Sequence, residues 1–104
     1  MIRNVVTGRL RVASSDEQRH ADLVLLEQGL AGMAALRLPG LLSMRLGRDL
    51  GLRPGSWDFA ITNDWADAES YHGYDLDEEH NRLRREHFAV VCSDIVRVQF
   101  TVDD

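Results

Sequence analysis

Residues 2–12 alternate between apolar and polar positions: Ile2, Asn4, Val6, Gly8, Leu10 and Val12 share one side of a period-two segment. Arg3, Thr7, Arg9 and Arg11 share the other side with Val5, which predicts a strand with one buried face. Ser14 and Ser15 then offer N-caps, with Glu17 or Gln18 completing a capping box. Asp16 and Glu17 suit the positive end of a helix dipole. Leu23, Leu26, Leu30, Met33 and Ala34 recur at three- and four-residue steps, predicting a helix to about Leu36, its second half weakened by Gly29 and Gly32. Pro39-Gly40 forces a turn. Leu42, Met44 and Leu46 mark a second strand, and after the breaker Arg53-Pro54-Gly55-Ser56 residues 57–65 mark a third. Trp57, Phe59, Ile61, Asn63 and Trp65 lie on one side of it. Asp67 caps a short helix to about Tyr74, and a second cap near Asp77 opens a helix to Cys92 or Ser93. Residues 95–102 form the last strand, with Val96, Val98, Phe100 and Val102 on one face.

The resulting order βαββαβ predicts an α+β fold, the ferredoxin-like plait: a four-stranded antiparallel sheet with both helices on one face. The other face is left open. The period assigns to it Val5, Thr7, Arg9, Ser43, Arg45, Ala60, Thr62, Arg97, Gln99 and Thr101. This mixed, β-branched surface is expected to meet a copy of itself, and a single domain spanning residues 1–104 gains from such an interface because a short chain buries less of its surface.

Composition narrows the partners. Twelve basic and seventeen acidic side chains give a formal charge of −5, and the arginines are scattered, so nucleic acid is not an expected partner. The one cysteine, Cys92, can form no internal disulfide and has no CxxC neighbour. The first residues enter a patterned segment at once, without a long apolar stretch. These features predict a soluble cytoplasmic protein with no membrane contact.

Several segments together resemble the Dabb family, the stress-responsive dimeric A/B barrel proteins. They are the opening Met-Ile-Arg-Asn-Val-Val, the stretch Leu-Pro-Gly-Leu-Leu-Ser-Met-Arg-Leu-Gly-Arg-Asp-Leu-Gly (38–51), Trp57-Asp58-Phe59-Ala60, and Glu79-His80-Asn81 with Arg97-Val98-Gln99-Phe100. The resemblance runs end to end and implies a homodimeric α/β barrel. The family includes a polyketide cyclase that closes a ring by aldol condensation, alongside many members of unassigned activity. Its tyrosine/histidine pair maps onto Tyr71 and His80 with an insertion between them, and Asn4 stands where members commonly carry a histidine.

The residues themselves point to the same place. At about 100° per residue, Leu83, His87, His80 and Val91 fall within one apolar sector of the last helix. Asn4 and Asn63 are in phase with apolar strand residues, so polar groups from three elements face one layer. This predicts a partly polar ligand pocket formed by Asn4, Asn63, Tyr74, His87 and Trp57, with His80 as general base and Tyr71 polarising a ligand carbonyl. The plainer expectation is a core histidine satisfied by a backbone carbonyl.

No cofactor motif is present: Gly47, Gly51 and Gly55 lack the strand–GxGxxG–helix setting. A metal site is not expected either. His80 and His87 are seven residues apart, about 10 Å along a helix, and the run Asp75, Asp77, Glu78, Glu79 lacks calcium-loop spacing. Two functions remain: a homodimer binding an apolar or aromatic metabolite, with polyketide-cyclase-like proton transfer, or a non-enzymatic dimeric binding or interaction module with a filled core. A third, a monooxygenase or haem-degrading plait, has no residue that singles it out.

Overall fold

A computed structural model describes residues 1–103 of the chain. Its elements are β1 (Ile2–Leu10), α1 (Asp16–Ala34), β2 (Leu41–Arg48), β3 (Phe59–Trp65), α2 (Ala68–Leu76) and α3 (Glu78–Leu83). A π-helical segment (Arg84–Phe88) and a final turn α4 (Ala89–Val91) continue α3 into β4 (Cys92–Thr101). The strands form one antiparallel sheet in the order β2-β3-β1-β4, the arrangement of the ferredoxin-like plait. The helix starts follow the chemistry of their caps: Ser15, Asp67 and Asp77 accept from the backbone N–H of Gln18, Ser70 and His80.

Between the sheet and the helices lies a core of Leu26, Leu30 and Met33 from α1, Phe59, Ile61 and Trp65 from β3, and Tyr74, Leu83, Phe88 and Val91 from the later helical segments. Each such side chain contributes about 1.5–3 kcal/mol by leaving water, which outweighs the weak propensity of the short helices.

Four features depart from the sequence pattern. β1 ends at Leu10 rather than residue 12, and Val12 is 93% exposed. There the Arg11 guanidinium turns onto the buried carboxylate of Asp22, at 2.9 and 3.0 Å, while the Arg11 backbone N–H donates to the Val91 carbonyl. β3 starts at Phe59, leaving Trp57 in the preceding loop, where the Arg9 guanidinium lies 4.5 Å from its ring centre.

β4 is phased opposite to expectation. Asn4 pairs with Gln99, Val6 with Arg97 and Val5 with Val98, and directly opposed residues share a face. Arg97 and Gln99 therefore lie on the helix side, while Val96, Val98 and Phe100, 52%, 54% and 45% exposed, join Val5, Ala60 and Thr62 on the open face. The apolar phase of β4 marks a surface left for another partner.

The π-helical segment shifts the phase of the last helix. With about five residues rather than four between vertically bonded positions, Phe88 takes the core position after Leu83, and His87 moves to the edge. Gly29 and Gly32 are the places where this helix approaches α1. A Cβ on Gly29 would lie 2.8 Å from the His87 Cβ, and one on Gly32 would lie 2.5 Å from a Leu83 methyl carbon. Their value is close approach, a gain that helix propensity does not register.

Candidate functional site

A cavity of about 360 Å³ opens between the sheet and the later helices. β1 and β3 supply Asn4, Val6, Phe59 and Ile61, and β4 supplies Ile95 and Arg97. α2 brings Tyr71, Tyr74 and Asp75, while α3 and the π segment bring Glu78, His80, Asn81, Arg84, Arg85 and Phe88. The sheet pleat puts alternate residues on this side, and the break between α2 and α3 at Asp77 sets His80 against Tyr74.

Behind Asn4 and Tyr74 runs a connected polar network. The Gln99 side-chain amide donates to Asn4 Oδ1 at 2.8 Å, and the Asn4 amide donates to Asn63 Oδ1 at 3.2 Å. The same Asn63 oxygen accepts from the Trp65 indole N–H at 2.6 Å, and the Asn63 amide points at the Tyr74 hydroxyl, 3.5 Å away. Three strands are joined by this amide chain, which leaves few polar atoms of the layer unmatched.

His80 is the exception. It is 5% exposed, its ring stacks on Tyr74, and among the described residues none meets hydrogen-bond geometry with its buried Nδ1. An unmatched buried polar atom costs about 1–3 kcal/mol, and Nδ1 itself has no surface open to the cavity that His80 borders. Burial drives the imidazole pKa down to about 4, against the smaller upward pull of the Tyr74 backbone carbonyl. His80 is therefore neutral near pH 7. Burial likewise pushes the Tyr74 hydroxyl up to about 12, and it raises that of the half-buried Tyr71, with Asp75 adding to the rise.

Of the seven side chains marked in the sequence, Asn4, Tyr71, Tyr74 and His80 border the cavity. Asn63 stands one layer behind Asn4 and Tyr74. His87 is turned away, with Nδ1 3.0 Å from the Leu25 carbonyl, because the π segment rotates it out of phase. Trp57 lies at a shallower hollow of about 240 Å³ with Thr7, Gly47 and Ala60, on the open side of the sheet. Arg84, Arg97 and Phe88 are cavity residues the sequence reading passed over. The strand period hid Arg97, but its in-register partner Val6 identifies the face. Among the described residues, no three His, Cys, Asp or Glu side chains converge as a metal site.

The sheet order and helix placement define a class, the ferredoxin-like α+β proteins. No family model and no curated protein matches the sequence. Among solved structures, a dimeric ferredoxin-like protein of unknown function from Thermobifida fusca YX is 27% identical, with a TM-score of 0.74 over 97% of this chain and 90% of its own. A Dabb family protein from Mesorhizobium loti MAFF303099 is 19% identical, with a TM-score of 0.66 over 99% and 97% of the two chains. The resemblance in sequence is thus matched by a shared fold. The hydroxynitrile lyase of Passiflora edulis also shares it, at 18% identity and a TM-score of 0.65 over 99% and 94%. No helix of the described residues is long and apolar enough to cross a membrane.

Proposed function

We propose that the protein is a homodimer that binds a small apolar or aromatic metabolite, such as a polyketide-like compound, and moves a proton at a carbon atom of that ligand. The observation that carries this reading is the cavity of about 360 Å³ bordered by His80, Tyr71 and Asn4. Its volume falls in the range of small-molecule sites, and Val6, Met33, Phe59, Ile61 and Phe88 give it an apolar lining. A cavity at this position speaks against the filled-core alternative.

Neutral His80 is the base. It takes a proton from a carbon next to a ligand carbonyl, and the electron pair moves onto the carbonyl oxygen as an enolate. The Tyr71 hydroxyl, at the same cavity, donates a hydrogen bond to that oxygen. A pKa of about 4 makes His80 a weak base in the empty site, and the negative charge forming beside it raises its affinity for the proton. The homodimer is supported by Val96, Val98 and Phe100 on the uncovered sheet face and by the dimeric state in which the Thermobifida fusca protein is described.

Deuterium exchange at the carbon next to the carbonyl of phenylacetone, followed by proton NMR in D₂O, tests the chemistry. The protein should accelerate exchange, and His80→Ala or Tyr71→Phe should remove the acceleration while the circular dichroism spectrum stays unchanged. Exchange that proceeds equally well in His80→Ala would end the role of His80.

A further inference from the structure

We infer that the cavity takes an apolar ligand ending in a carboxylate, its body against Val6, Ile61 and Phe88 and its carboxylate between Arg84 and Arg97 at the rim. The inference rests on the cavity being a ligand site, as proposed above, and adds the chemical class of the ligand.

The rim carries three arginines, Arg84, Arg85 and Arg97, against two carboxylates, Asp75 and Glu78. These charges are not equally engaged. Arg85 reaches Glu78 at 3.4 Å, which uses one cation and one anion. Arg84 is held by a neutral partner, Nη1 donating to Asn81 Oδ1 at 3.2 Å. Among the described residues neither Arg84 nor Arg97 forms an ion pair. Two cations thus face the single carboxylate of Asp75, in a chain whose formal charge is −5.

The two arginines come from different walls. Arg84 opens the π segment, and Arg97 stands on β4 opposite Val6. Both line the cavity that Tyr71, Tyr74 and His80 also border. A planar guanidinium matches a carboxylate with two parallel hydrogen bonds, which a neutral amide cannot reproduce.

Calorimetric titration with naphthalene-2-carboxylate and with its neutral counterpart 2-naphthamide separates the two levels of the argument. The acid should bind about tenfold tighter at low ionic strength, a preference that weakens with added salt because both arginines are exposed. In the double variant Arg84→Gln/Arg97→Gln the preference should fall to near unity, with the melting temperature unchanged. If the amide binds the native protein as tightly as the acid, or if the double variant keeps the preference, the carboxylate assignment is overturned and the cavity reading stands. If neither compound binds, both are overturned.

Discussion

The imidazole of His80 stacks on the phenol ring of Tyr74, with centroids 3.8 Å apart and planes inclined by 26°. The contact joins two helices at their break: the His80 N–H donates to the capping carboxylate of Asp77 at 2.9 Å, so both backbone and ring are fixed. A neutral imidazole suits this place, because a charged one would have to shed its hydration against an aromatic face.

Acid should therefore weaken the fold through His80. Its folded pKa of about 4 lies below the ordinary 6.5, so between these values the unfolded chain holds the extra proton and stability falls as the pH falls. After discounting for partial solvent access, the loss from pH 7 to 4.5 is on the order of 1–2 kcal/mol. Asp22 and Asp64, lowered by hydrogen bonds from Arg11 and Arg3, lose their contribution only at lower pH. Urea denaturation at the two pH values should show the loss in the native protein and a smaller one in His80→Phe; equal losses would contradict it.

Removing the Asn63 amide should be costly. Asn63→Leu strands the Asn4 amide and the Trp65 indole N–H together, at about 1–3 kcal/mol for each orphaned donor. We expect a total near 3 kcal/mol in chemical denaturation, and a change below about 0.5 kcal/mol would mean the amide chain contributes little.

Glycines in helices should respond in opposite ways. Gly29→Ala forces a methyl against the Cβ of His87 and the ring of Phe88 and should destabilise by about 1–3 kcal/mol. Gly73→Ala meets open space in α2 and should stabilise by about 0.5–1 kcal/mol. A Gly29→Ala melting temperature equal to or above that of the native protein would contradict the close packing of α1 against the last helix.

The open face predicts the assembly. Val98→Glu places a charge in the middle of the Val5, Val96 and Phe100 surface, where the isolated chain exposes it to water. Light scattering should give a dimer for the native protein at micromolar concentration and a monomer for this variant, with an unchanged far-ultraviolet spectrum. A native protein that is already monomeric would refute the homodimer.

Local physics determined much of this protein from its sequence. Strand periods gave four strands, short polar side chains gave the caps at Ser15, Asp67 and Asp77, and their order gave the plait. The same reasoning marked Asn4 and His80, polar residues in an apolar phase, and the family resemblance marked Tyr71; all three border the cavity. Only the tertiary structure decided which face of β4 meets the helices, since apolar alternation marks a face that avoids water without saying what covers it. It alone showed that the π segment replaces His87 with Phe88 in the core, that Gly29 is a contact point, and that Arg11 is drawn to Asp22. Each depends on groups distant in sequence coming within a few ångströms. The cavity belongs to this second kind of fact, for it is the space that the helices and sheet leave between them.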